Sequence, residues 1–229
     1  VVVDTDDWEG PGGWNAMGDY PGWMQRVFTW QERWGLRHAD AVTVASRALQ
    51  TLVWAIGQPP DRVFYLPNGV NPPPPRPEPP AGTRPTMLLY TRFFEFDLDR
   101  LWRIVADVRE RLPDARLIVI GAGFNQEETQ LLALARGAGW QVSEAWPPDS
   151  ESDLIYAGWG TDENLPLAFG LTDVALYPFD DTLLNRTKCP MKLMDLQAAG
   201  LPVVADAVGQ IAETLTPGVT GLLVPPGDE

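Results

Sequence analysis

Lys188, Lys192 and Asp195 stand in the stretch KCPMKLMDLQAAGLPVV, residues 188 to 204, whose middle is otherwise almost wholly apolar. Positions four and three apart share a helical face, so the spacing predicts one charged stripe at a helix start. Such a start carries unpaired backbone N–H groups and the positive end of the peptide dipoles, and it can receive an anion such as phosphate. Pro190 suits the first helical position, Gly200 a left-handed helix end, and Pro202 a stop. Leu201 to Ala205 then reads as a buried strand. Two readings of the stripe stay open: an anion-binding edge, or the solvated edge of a packed helix.

A second set of acids, Asp4, Asp6 and Asp7, ends the apolar run VVVDTDD. An apolar strand running into D-x-D is how haloacid-dehalogenase phosphotransferases hold a nucleophile and Mg²⁺. The glycine, threonine or valine that continues that pattern is replaced here by Asp7, Trp8 and Glu9. A polar strand end facing a cleft is the other reading, and the favoured one. LIVIGAGF offers Gly121-Ala122-Gly123, but Gln126 stands where a dinucleotide-binding loop has its third glycine, and a tight turn off a buried strand suffices. His38 is the only histidine, with no Ser-His-Asp set around it, and it is expected at a helix end. Cys189 would act as a nucleophile only beside a base; capping or packing is the simpler role. The chain carries ten tryptophans. Aromatic faces suit sugars and bases but also fill cores, so attention narrows to those beside polar turns: Trp8, Trp14, Trp23 and Trp159.

The elements that must position these groups alternate strand and helix. With 229 residues and 45% apolar content, the chain is long enough for one large domain or two small ones. A net charge of −14 disfavours nucleic-acid binding, which calls for a basic patch. One cysteine excludes an internal disulfide framework and a cysteine zinc site. No apolar run reaches membrane-spanning length, and the first residues lack a signal-peptide pattern. A strand at Val1 to Val3 leads through the turn-rich WEGPGGWNAMGDYPGW to a helix from about Met24 to Arg37. ADAVTVAS gives a buried strand with Ser46 as helix cap, RALQTLVWAIG a helix closed by Gly57, and RVFYLPNGV a strand. The proline-rich NPPPPRPEPPAGTRP reads as a semi-rigid spacer, which predicts units over 1–71 and 86–229 joined by a linker at 72–85. Beyond it come strands at TMLLYTR, ARLIVIGAG, DLIYAGW, DVALYPF and GLLVP. Between them lie helices at DLDRLWRIVADVRERL, NQEETQLLALARGAG, TDENLPLAFGL and GQIAETL. Alternation of this kind means a parallel sheet with helices on both faces, with ligands beyond the carboxyl ends of its strands.

Read in series, these segments resemble the family-4 type of retaining glycosyltransferase with the GT-B fold. HADAVTVASRALQTLVWAIGQPPDRVFYLPNGVN resembles the last acceptor-domain strand and helix and the crossing to the donor domain. LLYTR, RLPDARLIVIGAG, IYAGW, DVALYPF, KLMDLQAAGLPVVA, VGQIAE and GVTGLLVPPGD follow in family order. The resemblance implies an α/β chain: a Rossmann-like, nucleotide-sugar-binding donor domain plus the remnant of a second Rossmann-like domain, as a piece of a longer protein and inactive alone. It implies that Arg92 contacts phosphate and that Asp195 binds the nucleotide ribose. Lys192 would stand with Arg92 as catalytic. Thr187, Lys188, Cys189 and Met191 would line the donor nucleotide, with Trp159 and Gly160 at the base. Asp4, Asp6, Asp7 and Trp8 would sit on the acceptor side. No cofactor or metal is implied. The acceptor would be a glycan, lipid or small molecule, in a cytoplasmic protein, and peripheral membrane contact by the full-length form stays open. Two departures stand out: Thr187 replaces the first of the family's two glutamates, and no lysine follows Arg92 in RFFEFDLDR. They leave open a non-catalytic nucleotide-sugar or carbohydrate-binding module as an alternative, with the phosphotransferase reading behind it.

Overall fold

A computed structural model describes residues 1–71, 76, 83–149, 151–161 and 163–228. In chain order its elements open with β1 (Val2–Thr5), α1 (Trp14–Met17), α2 (Gly22–His38), β2 (Ala41–Val44), α3 (Arg47–Ile56) and β3 (Val63–Tyr65). Next come β4 (Thr86–Tyr90), α4 (Leu98–Arg111), β5 (Arg116–Ile120), α5 (Glu127–Gly137), β6 (Val142–Ser143), β7 (Leu154–Tyr156), α6 (Asn164–Leu171) and β8 (Val174–Tyr177). The chain closes through α7 (Leu183–Thr187), α8 (Met191–Ala198), β9 (Val203–Asp206), α9 (Ile211–Thr214) and β10 (Gly221–Val224).

Two compact units result. The first holds Val1–Gly69, Asp181–Met191 and Val208–Thr214; the second holds Val70–Asp180, Lys192–Ala207 and Leu215–Glu229. Segments 181–191 and 208–214, although beyond the linker in sequence, therefore cluster with the first unit. Most of the linker expected at 72–85 lies outside the described residues.

In the first unit, β1, β2 and β3 form a parallel sheet, with Val3 opposite Val42 and Val42 opposite Val63. Val42, Val44, Leu49 and Val53 are fully buried beside Trp8 and Leu36. Burial of side chains of this size contributes roughly 1.5–3 kcal/mol each. The Ser46 side chain caps α3 by accepting from Leu49 N–H, and Gly57 ends it at φ +106°, as the sequence predicts.

In the second unit, seven parallel strands run in the order β10-β9-β8-β4-β5-β7-β6. The order reverses between β4 and β8, which makes the carboxyl end of β4 the switch point. Gly121 follows β5 at φ +120°, and a Cβ there would lie 1.7 Å from the Thr91 carbonyl oxygen. Only glycine lets the ends of β4 and β5 approach this closely. At the end of β9, Arg100 binds Asp206 bidentately at 2.6 and 3.1 Å, both side chains buried.

One expectation is corrected. Lys188, Lys192 and Asp195 do not form a single helical stripe. Lys188 is extended at φ −68°, ψ 147°, and caps the end of α7, while α8 starts only at Met191. Pro190 disfavours helical backbone at Cys189, which keeps α7 and α8 from joining, and α8 begins directly after it. Gly200 does end the segment in the left-handed conformation, at φ +71°. The helices α1 and α7 and the short strand β6 were not anticipated.

Candidate functional site

At the switch point, β4 delivers Tyr90, Thr91 and Arg92. Thr91 N–H donates to the Ile120 carbonyl at 3.0 Å, which holds the strand end against β5. Its hydroxyl accepts from Phe93 N–H at 2.9 Å and faces the buried Glu95 carboxylate at 3.3 Å. Phe93 adopts φ +68° and is almost wholly buried. A left-handed aromatic residue is strained, so this turn is held by its surroundings and fixes where Arg92 leaves the sheet.

The Arg92 guanidinium lies 4.8 Å from the centre of the Phe124 ring and 4.9 Å from that of Trp159. Phe124 comes from the loop after β5 and Trp159 from the loop after β7. Both rings are about half exposed, at 55% and 54%. Cation–π attraction to two rings holds the planar fork in place, while its Nε is buried without a hydrogen-bond partner. Gly160 lets this loop pack closely: a Cβ there would meet Leu165, Tyr90 and Ile120 at 3.3–3.4 Å. Next to it, Thr161 N–H donates to Asn164 Oδ1 at 2.7 Å while Asn164 N–H donates to Thr161 Oγ1 at 3.2 Å.

From the first turn of α8, the Lys192 ammonium sits 5.4 Å from the centre of the Tyr90 ring. Burial lowers its pKa; Glu95 and Asp195 oppose that, and Arg92 adds to it. Asp195 is raised by burial, with Lys192 pulling it back. The Tyr90 hydroxyl is raised by burial and then by the Asp195 charge. Arg92, Lys192, Asp195, Trp159 and Gly160 thus belong to one unit. Two cations and a carboxylate there feel one another in partly desolvated surroundings, beside two open aromatic faces. Such a set can hold a polyphosphate, accept hydrogen bonds from hydroxyls and stack a ring.

The other expected residues belong to the first unit. Thr187 is fully buried, and its hydroxyl donates to the Leu184 carbonyl at 2.9 Å. Its own carbonyl accepts from the Ser46 hydroxyl at 2.5 Å. Met191 is partly exposed. Lys188 is buried with its ammonium 5.1 Å from the Trp14 ring centre. Asp7 is raised by burial and lowered by a hydrogen bond from Trp14 and by the Lys188 charge. Asp6 accepts from Asn68 Nδ2 at 2.6 Å. The buried Cys189 thiol is pushed up by burial, against hydrogen bonds from Asn68 N–H and Gln210. Asp6, Asp7, Trp14, Lys188 and Cys189 therefore form a second polar group. Asp4 stands apart from it, since its carboxylate accepts from the Thr43 hydroxyl on the neighbouring strand. Trp8 is 3% exposed, and its indole donates to the Pro11 carbonyl at 3.0 Å. Trp8 is a core residue of this unit.

Sequence reasoning missed Phe124, Glu95 and Tyr90. The available signal was positional: each flanks the polar end of an apolar strand. His38 ends α2, as expected, with Nδ1 against the Trp34 carbonyl at 2.8 Å. Among the described residues, no helix is long and apolar enough to cross a membrane. No group of three or more His, Cys, Asp or Glu residues is placed to hold a metal ion among them.

Comparison with known proteins agrees with this architecture. The model of "Glycosyl transferases group 1" matches residues 84–229, and that of "Glycosyl transferase 4-like domain" matches residues 1–69. A GDP-mannose-dependent alpha-(1-6)-phosphatidylinositol monomannoside mannosyltransferase of Mycolicibacterium smegmatis is 27% identical over 199 residues, 81% of this chain and 49% of the relative. The protein of the same description from Mycobacterium tuberculosis is 28% identical over 198 residues, 81% of this chain and 48% of that relative. The chain thus spans about half the length of these curated relatives. Sucrose-phosphate synthase from Thermosynechococcus elongatus superposes with a TM-score of 0.68 at 21% identity, over 99% of this chain and 55% of that one. Anabaena HepE, solved with UDP and glucose, gives 0.65 at 17%, over 99% and 58%. These two share the fold, two Rossmann-like units of the GT-B type. With a family model covering well over half of its residues, the chain belongs to the group 1 glycosyltransferases.

Proposed function

We propose that the whole protein transfers a sugar from a nucleoside-diphosphate sugar to an acceptor hydroxyl, with retention of anomeric configuration, and that the second unit carries the donor site. The observation that carries this reading is the convergence of Arg92, Lys192 and Asp195 at the switch point of one parallel sheet. Arg92 and Lys192 neutralise the diphosphate as the glycosidic bond to it breaks. A preorganised pair of cations in partly dry surroundings is an effective way to stabilise a leaving anion. Asp195, ionised, accepts from the vicinal hydroxyls of the ribose in charge-assisted bonds. Trp159 and Gly160 border the base. The acids Asp6 and Asp7 serve the sugar or acceptor side. The reaction draws on no resident metal in this reading. The acceptor is a glycan, lipid or small molecule, and the setting is the cytoplasm. Relatives named for GDP-mannose and a neighbour solved with UDP support a nucleotide-sugar donor without choosing its base.

A second reading is a nucleotide-sugar-binding module without transferase activity. Two observations favour it. The Thr187 hydroxyl is already bonded inside its own helix. After Arg92 the turn carries no lysine, and Asp97 there caps α4 by accepting from Arg100 N–H at 2.7 Å. Calorimetric titration of UDP, GDP and ADP, beside the Asp195→Asn variant, tests the donor site. One nucleotide should bind, and the variant should lose at least about 1.5 kcal/mol, the scale of a charged hydrogen bond. Binding that the variant leaves intact refutes the assignment of Asp195. Nucleotide binding by the full-length protein with no sugar transfer selects the second reading.

A further inference from the structure

Glu95, in the turn after β4, is an acid only 7% exposed. Two links run from it. The first passes through the turn. The Thr91 hydroxyl accepts from Phe93 N–H at 2.9 Å, which leaves its own proton to donate to Glu95 Oε2 at 3.3 Å. Arg92 stands in the chain between the two residues tied by the first of these bonds. The backbone of the turn is held as well, since the Glu95 carbonyl accepts from Asp180 N–H at 2.8 Å, just past the end of β8. The second link crosses to α8. Glu95 and Lys192 line one cavity of about 10 Å³ together with Thr91 and Tyr177, with room for a single water. The charged and titratable groups around the Lys192 ammonium are Glu95 and Arg92 on the turn, Tyr90 on β4, Tyr177 on β8 and Asp195 on its own helix. Burial drives that ammonium towards losing its proton, and the Glu95 charge is the largest effect opposing burial, ahead of Asp195.

We propose that Glu95 is a positioning residue of the donor site, which pins the turn that carries Arg92 and supplies the counter-charge for Lys192; the inference rests on the donor-site reading above. A bond to the Thr91 hydroxyl needs only a neutral acceptor, so it does not by itself account for an acid at this position. A buried carboxylate is costly unless cations stand near it, and here Lys192 and Arg92 do. The two acids divide the work. Asp195 is partly open and in the donor-site reading meets ribose hydroxyls. Glu95 is buried, so its charge acts on Lys192 whether or not a ligand is present.

The chain contains two lysines, Lys188 and Lys192, so NMR can follow the Lys192 ¹³Cε signal through a pH titration of the unliganded 229-residue chain, with Lys192→Arg to assign it. Glu95→Gln keeps an acceptor for the Thr91 hydroxyl and removes the charge. In that variant the Lys192 midpoint should fall by at least ~0.5 pH unit. The alkaline limb of nucleoside-diphosphate binding, read by calorimetry with UDP, GDP and ADP, should move down with it, and that movement should vanish when Lys192→Arg is added. Thr91→Val breaks the link through the turn; it should weaken nucleotide binding at least ~3-fold at every pH, and Thr91→Ser should restore it. Circular dichroism establishes that each variant is folded. An acid that only packs, or only holds the turn, leaves the Lys192 midpoint where it was, and that result beside a parent that binds nucleotide overturns the proposal. Unweakened binding by Thr91→Val overturns the part assigned to the turn. A parent that binds none of the three nucleotides refutes the donor-site reading itself, whatever the Lys192 midpoint does, and the proposal falls with it.

Discussion

Glu32 gives the most quantitative test of how the first unit is held together. Its Oε1 accepts from Glu9 N–H, while Oε2 is buried without a partner. Burial pushes its pKa from 4.5 up to about 7; the Glu9 N–H bond opposes this, the Glu9 charge adds to it and Arg33 opposes it. A carboxyl whose folded pKa lies above its unfolded value contributes stability that is fully present below 4.5 and lost as pH rises through about 7. The ceiling on that loss is about 3.4 kcal/mol, the free-energy equivalent of moving the pKa from 4.5 to about 7. The side chain is only about half buried, so solvent screening reduces the expected value to about 1–2 kcal/mol. Glu32→Gln keeps an acceptor for Glu9 N–H and removes the titration. Its amide adds a constant packing cost, which cancels when the variant is compared with the parent at two pH values. Urea unfolding followed by circular dichroism at pH 5 and pH 8 should show the variant gaining about 1–2 kcal/mol on the parent at the higher pH. A variant-to-parent difference that stays constant between the two pH values refutes burial as the cause of the shift.

Nucleoside-diphosphate binding should follow a bell-shaped pH profile. It should weaken on the alkaline side as Lys192, lowered by burial, loses its proton, and on the acid side as Asp195, raised by burial, gains one. Calorimetry across pH should show the alkaline limb disappear in Lys192→Arg. Arg100→Leu leaves the Asp206 carboxylate buried without its bidentate partner and should cost about 3–5 kcal/mol, read from denaturant unfolding. Asp206 also accepts from Phe179 N–H at 2.8 Å, so the loss should reach the end of β8. Gly121→Ala drives a methyl into the Thr91 carbonyl and should destabilise the second unit by more than ~2 kcal/mol, with nucleotide affinity falling in the same variant.

The order of strands and helices was legible because each signal is local. Apolar runs bounded by Gly57, Gly121 and Gly200 mark turns that only glycine enters easily, and Ser46 and Asp97 are caps that bond their own helices. The charged stripe was misread because the three-and-four rule assumes an unbroken helix, and Pro190 breaks it. Trp8 read as a candidate contact because it adjoins a polar turn. That turn folds over it instead: Pro11 takes its N–H, and Gly10 and Gly13 pack on its ring and backbone. Phe124 could not be paired with Arg92 from sequence, since their meeting depends on β4 and β5 lying side by side. The short helix α7 carries its own cap, with Thr182 accepting from Asn185 N–H, but five residues are too few for a periodic pattern.

In the donor-site reading, the missing lysine after Arg92 acquires a physical account once Lys192 is placed. A diphosphate needs more than one cation, and the turn after Arg92 cannot supply a second because Asp97 there caps α4 and Glu95 is buried against Thr91. Lys192 reaches the same strand end from α8, where its charge and that of Arg92 repel. Such repulsion disfavours the empty site, and in the donor-site reading an arriving anion would relieve it. Glu95 and Asp195 keep the strain tolerable by favouring the protonated amine. If this account holds, neutralising Lys192 as methionine should stabilise the unliganded unit while weakening diphosphate binding, whereas Thr187→Glu should improve neither. Opposite signs in melting temperature and nucleotide affinity for Lys192→Met distinguish a charge held for a ligand from one held for the fold. A variant that lost both together would return Lys192 to the role of a packed helix residue.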